Sequence, residues 1–241
     1  MQQNGIQETV QIICVTCFIL WPLTISFNRP ELPGVFGGMF DLLMGFDKPF
    51  NQAPSLHIAL LVVLWTRFAA HLHSRWLPFL HIWFALIAVS VLTTWQHHFI
   101  DLPTGALVGF FCLWLWPSAQ CSPLSTMRLT DDAQRRRLAL RYLIGSALLT
   151  ASALVIGGSA LWLLWPAVSL LVVALNYLVF GVQGFQKQTN GRLSPGAWGL
   201  LAPYLLGAWL NSRFWTRRAP EPVHVADNVW LGRIPAQQSL T

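Results

Sequence analysis

The sequence predicts an all-α integral membrane protein, a polytopic helical bundle with about six or seven membrane segments. Three observations carry that expectation. Of the 241 residues, 54% are hydrophobic and 10% are charged, whereas a soluble domain carries about 25% charged residues. Several apolar runs approach the ~20 residues that cross a bilayer. Inside lipid every backbone N–H and C=O must find its partner within its own segment, so such runs fold as helices.

Apolar segments are expected at about 9–27, 56–73, 77–95, 99–117, 138–156, 159–180 and 194–211. The start, MQQNGIQET, has no basic residue ahead of the first run, so no secretory leader is expected. The stretch 28–55, NRPELPGVFGGMFDLLMGFDKPFNQAPS, is rich in Gly and Pro and reads as a loop. Pro54-Ser55 supplies a helix start for 56–73, and a turn at Ser74-Arg75 separates that run from 77–95. The join at 96–99 is very short, whereas the loop 118–138 is long and basic. Segment 194–211 is Gly-rich and interrupted by Pro203. The residues after Pro222, VHVADNVWLGRIPAQQSLT, are mixed in character and too few for a core of their own.

The net charge of +6 does not call for nucleic acid, because Lys and Arg gather in a few loops. Arg75, Arg128, Arg135, Arg136 and Arg137, with Arg67 and Arg141 near helix ends, fall on one side if the helices alternate. That side is expected to be cytoplasmic. The loop 28–55 and the 96–99 join then face outward, toward the periplasm of a bacterial inner membrane. Cys14 and Cys17 lie in one apolar run with no second pair elsewhere, so buried, inert thiols are expected ahead of zinc or redox use.

Within the seven segments, Asp101 is the only acid. An ionisable group at membrane depth costs at least ~2.5–3.5 kcal/mol and marks a functional position. His97 precedes it by four residues; on a helix the two share a face, and Asp101 can accept a hydrogen bond from the imidazole. That bond fixes the tautomer and leaves the other ring nitrogen as base or nucleophile. A second polar group, Pro54-Ser55-Leu56-His57, opens the segment at 56 on the same side. Free amides and the positive dipole end of a helix start favour an anion there. Arg29 and Lys48 share that side. Together these are the parts of phosphoryl transfer. His97 attacks phosphorus, Asp101 holds His97, His57 protonates the leaving oxygen, and Ser55, Arg29 and Lys48 bind the phosphate.

The order P-S-x-H, then H-x-x-x-D about forty residues on, resembles the type 2 phosphatidic acid phosphatase superfamily, which includes lipid phosphate phosphatases, vanadium haloperoxidases and inositol phosphotransferases. Pro54-Ser55-Leu56-His57 corresponds to its Pro-Ser-Gly-His block, with Leu56 for Gly. Ser90…His97-His98-Phe99-Ile100-Asp101 corresponds to its Ser-Arg…His-x-x-x-Asp block, and Arg29-Pro30 to the end of its Lys…Arg-Pro block. The resemblance covers about residues 10–117. It implies phosphohistidine chemistry on His97 with no metal and no cofactor, acting on a lipid phosphate among membrane lipids. Two of the family's cations are replaced, its Lys by Pro22 and its Arg by Val91. The run TTWQHH is closer to the phosphotransferase branch than to the ordinary phosphatases.

Against the family pattern, the chain is expected to lack two upstream helices. VADNVWLGRIP resembles the opening of a dual-specificity protein phosphatase domain, which needs C-x-x-x-x-x-R; no cysteine here has an Arg at that spacing, so a truncated soluble domain is expected. The expected organisation is a phosphatase-like core at 1–118, a basic cytoplasmic loop at 119–137, further membrane helices at 138–211 and a soluble tail at 212–241. The readings left open beside hydrolysis are transfer of a phospho-headgroup between lipids, an inactive remnant, and a transporter that uses the same residues as a proton relay. Individually, His57 could be a helix-end histidine, Arg29 and Lys48 interfacial anchors, and His98 a mere neighbour of His97. A histidine-box metal site would need His71, His73 and His81 to converge with His97, and their side of the membrane opposes it.

Overall fold

The computed structural model describes residues 2–27, 33–46, 52–118, 120–218, 221–227 and 229–232. Within them the chain is mostly helical. Eight α-helices follow one another: α1 (Gln2–Leu20), α2 (Gly34–Phe46), α3 (Leu56–His71), α4 (Leu77–Thr93), α5 (Asp101–Leu115), α6 (Ala133–Ile156), α7 (Leu164–Leu175) and α8 (Pro195–Trp215). Two short strands, β1 (Val223–Ala226) and β2 (Val229–Leu231), pair antiparallel after them.

Among the described residues three helical stretches are long and apolar enough to cross a membrane: Ser74–Thr93, Ala133–Ile156 and Gly158–Phe185. Gly5–Leu20, Leu56–His71 and Asp101–Leu115 are apolar but shorter. Their outer surfaces are unlike those of a water-soluble bundle. On α4, Phe79, Ile82, Trp83, Leu86 and Val89 all face outward, and on α6 Leu140, Ile144, Leu148, Leu154 and Val155 do the same. Contiguous apolar surface of this extent calls for an apolar environment.

Several helix limits differ from the expected ones for local reasons. Residues Gly34–Phe46 form a helix inside the stretch expected as a loop. Asp41 is the one charge in GVFGGMFDLLMGF, and the apolar run outweighs its glycines. Thirteen residues rise about 20 Å, too little for a span and suited to an interfacial helix. The sixth helix starts early because Asp132 caps it, its Oδ1 accepting the amides of Gln134 at 2.7 Å and Arg135 at 3.4 Å. The expected segment 159–180 is built as a 3₁₀ turn (Gly158–Leu163), then α7, a π-helical turn (Asn176–Phe180) and a second 3₁₀ turn (Gly181–Phe185).

The chain divides into two compact units. One comprises Met1–Thr130 with Val179–Leu200, the other Asp131–Leu178 with Leu201–Thr241. In the second unit Ser146 donates to the Ala167 carbonyl at 2.8 Å, tying α6 to α7. Pro203 cannot continue the α8 ladder, and the next amide, Tyr204, donates instead to Ser169 Oγ at 3.3 Å. Tyr142 stacks on Tyr177 and meets Tyr204 edge-on.

The first unit holds the sequence motifs, and its α3–α5 contact positions them. Asp101, Gly105 and Gly109 recur every four residues, so they form one stripe along α5, and all three are buried. A Cβ on Gly105 would lie 2.5 Å from the Ser55 carbonyl oxygen, and one on Gly109 would lie 2.7 Å from that of Ala59. Only a side chain without a Cβ lets the two backbones approach this closely, the small-xxx-small logic of helix contacts in lipid. The contact brings the start of α5 against the start of α3, where the Ser55 amide donates to the Asp101 carbonyl at 3.3 Å.

Candidate active site

The site begins with the way α4 ends. Trp95 has left-handed backbone angles, with φ of 57°. The Trp95 amide donates to the Leu92 carbonyl and the Gln96 amide to the Val91 carbonyl, each at 3.1 Å. This is a Schellman cap, usually closed by glycine. A bulky residue in that conformation is strained by roughly 1–2 kcal/mol. Here Trp95 packs edge-on against Phe27 at 5.3 Å. The Val91 carbonyl also takes the His97 amide at 3.2 Å, so one carbonyl turns the chain and sets the backbone of the histidine.

His97 does not lie on a helix with Asp101, as expected from the spacing. It sits in the turn before α5, and Asp101 is the first residue of that helix. The two meet because the turn folds back. Asp101 Oδ2 accepts the His98 amide at 2.9 Å and lies 3.4 Å from His97 Nδ1. His97 and Asp101 are each 3% exposed. A buried carboxylate is tolerated at this point by its two donors and by the positive end of α5.

The other ring nitrogen of His97 points across to α3. Nε2 is 3.1 Å from Ser55 Oγ and 3.4 Å from His57 Nδ1. Ser55 is fully buried and caps α3, its Oγ accepting the Ile58 amide at 3.4 Å. That role leaves the Ser55 hydroxyl proton for Nε2. With Nδ1–H turned to the carboxylate, Nε2 carries the lone pair. The rings of His57 and His97 meet edge-on at 5.7 Å, and His57 is exposed. The expected grouping of Ser55, His57, His97 and Asp101 is thus present as one hydrogen-bonded cluster. Arg29 and Lys48 lie outside the described residues.

His98 turns its ring away, as its position next to His97 suggested. Its Nε2 meets Ser26 Oγ at 2.7 Å and its ring lies 4.8 Å from Phe27. Yet its backbone amide is one of the two donors that hold Asp101. Sequence reasoning missed Ser26, Phe27, Gly105 and Gly109; the i, i+4 glycines one turn after Asp101 were the available signal. Two of the other histidines are engaged elsewhere. His81 Nδ1 accepts Trp65 Nε1–H at 2.9 Å, and His73 Nδ1 accepts the Arg75 amide at 3.4 Å. Among the described residues no three His, Cys, Asp or Glu converge as metal ligands. Cys14 and Cys112 are buried free thiols.

The cluster can hold a nucleophilic imidazole in one tautomer, present a second imidazole to a reacting group, and meet an anion with the start of α3. No family model, no curated protein and no solved structure matches this chain.

Proposed function

We propose that the chain is a membrane-bound lipid phosphate phosphatase of the type 2 phosphatidic acid phosphatase kind, acting through a phosphohistidine. The observation that supports it best is the arrangement around His97, with Nδ1 on a buried carboxylate and Nε2 beside Ser55 and His57. The lone pair of Nε2 attacks phosphorus while the ester P–O bond breaks, and His57 donates a proton to the departing alcohol oxygen. His57 then takes a proton from water, the hydroxide oxygen bonds to phosphorus, the P–N bond breaks and inorganic phosphate leaves. Asp101 stabilises the positive charge that develops on His97. Ser55 and the first amides of α3 hold the phosphoryl oxygens, with Arg29 and Lys48 as the neutralising cations.

Val91 stands where the resembling family has Arg, and its side chain is buried. In this reading the phosphate relies more heavily on the α3 amides, Arg29 and Lys48. The wider reading is a core of helices α1 and α3 to α5 in a bacterial inner membrane, with the site open to the periplasm. If an acceptor lipid hydroxyl replaces water, the same intermediate yields a phosphodiester.

The distances from Ser55 to His97 and from His97 to Asp101 also support a second reading, a Ser-His-Asp acyl hydrolase with Ser55 as nucleophile. Full burial of Ser55 and its capping bond to Ile58 count against it.

The test supplies a lipid phosphate, with and without an alcohol-bearing lipid, to membranes bearing the protein in chelator. The phosphatase reading expects phosphate release that falls by at least about 10³-fold in His97→Ala. A new phosphodiester selects transfer, and fatty acid release lost in Ser55→Ala selects acyl hydrolysis. Phosphate release that survives His97→Ala removes the proposal.

A further inference from the structure

The end of α3 away from Ser55 carries a second polar feature that the reaction does not use. Arg67 lies twelve residues beyond Ser55, about 18 Å along the helix. Its Nη1 donates to Ser118 Oγ at 2.9 Å, and among the described residues it pairs with no carboxylate. His71, one turn further, shares its face. These two side chains line two separate hollows of the first unit.

One hollow, of about 350 Å³, is mostly apolar but carries Ser118, Gln120 and Gln188 beside Arg67 and His71. Gln120 Oε1 is buried there and lacks a hydrogen-bond partner among the described residues. The other, of about 340 Å³, is mostly apolar, with Ile6, Val63, Leu64 and Phe68 beside the same Arg67 and His71. Among the described residues no carboxylate lines either one. A guanidinium with unused donors stands between two largely apolar hollows, one of which also carries hydroxyl and amide groups.

We propose that this is a binding site for an anionic phospholipid, distinct from the reaction site at the other end of α3. The phosphodiester oxygens bond to Arg67, with His71 alongside. The headgroup lies beside Ser118 and Gln120, and an acyl chain lies in the groove past Phe68 and Ile6. A free phosphate would leave the apolar surface of both hollows uncovered, so the paired hollows favour the lipid. Basic pockets between membrane helices take headgroups of this kind.

The full chain is reconstituted in nanodiscs of phosphatidylcholine with phosphatidylglycerol, and the co-purifying lipid is measured by mass spectrometry. The expected result is enrichment of phosphatidylglycerol that drops about fivefold in Arg67→Gln, the weight of one basic residue at such a surface. Arg67→Lys keeps most of it. Gln120→Glu, which adds a negative charge to the hollow beside Arg67 with little change of shape, loses it to a similar degree and carries the test if Arg67→Gln does not fold. The proposal is overturned by retention unchanged in folded Arg67→Gln or in Gln120→Glu. It is equally overturned if inorganic phosphate alone raises the Tm of detergent-solubilised protein as much as phosphatidylglycerol does.

Discussion

At the scale of single residues, the account turns on which nitrogen of His97 is free. Asp101 claims Nδ1 and is itself fixed by the His98 amide, so Nε2 is left toward Ser55 and His57. Asp101→Asn leaves at most a neutral amide oxygen where Oδ2 serves both the His98 amide and His97 Nδ1, so the charge that holds the His97 tautomer and steadies its imidazolium is lost. Turnover is expected to fall about 10²–10⁴-fold with KM little changed; a steady-state comparison in which kcat is unaltered removes the orienting role. The pairing of His97 with Asp101 was legible from their spacing, though the reason was not. Helical periodicity suggested a shared face, and the actual device is a turn closed by Trp95 in a left-handed conformation. A tryptophan gives no signal for that conformation, since glycine is its usual occupant.

At the scale of elements, the site exists because α5 can lie directly on α3. Gly105 is the tightest point, and a methyl there would press on the Ser55 carbonyl. Gly105→Ala raises intrinsic helix propensity yet is expected to cost about 1–3 kcal/mol of stability by overpacking, and to lower turnover by moving Asp101 away from Ser55. Gly207→Ala, where a Cβ meets nothing within 4 Å, is the matched control and is expected to be neutral or slightly stabilising. Equal thermal midpoints for the two variants would show that close approach is not what α5 needs. The helices themselves were largely legible as apolar runs. α2 was not, because its glycines and the prolines around it outweighed a short apolar stretch in the reading. The 158–185 region was legible as apolar but not as a series of 3₁₀, α and π turns, since positive-φ glycines at 157, 158 and 181 break it at points that composition alone does not mark.

At the scale of the whole molecule, three helical stretches among the described residues have the length and apolarity to span a membrane, and the outward apolar faces fit that setting. The proposed orientation puts α2 on the outer side with the reaction site. A cysteine at Gly38, where a Cβ meets nothing within 4 Å, in a chain cleared of its four native cysteines, is expected to react with an impermeant thiol reagent from the periplasmic side. Labelling only after the cytoplasmic face is opened reverses the orientation. The polar residues were legible as a set because a chain so poor in charge exposes each one, and the proposed anion-binding role of Arg29 and Lys48 rests on sequence position alone. The central claim is that His97 carries the phosphoryl group. Membranes incubated with a lipid phosphate labelled on phosphorus, quenched in alkali and digested, test it directly. The expected result is an alkali-stable, acid-labile label on the peptide containing His97, absent from His97→Ala and both formed and lost more slowly in His57→Ala, which lacks the acid of the first step and the base of the second. Label on Ser55, or phosphate release with no label on His97 in either protein, would contradict it.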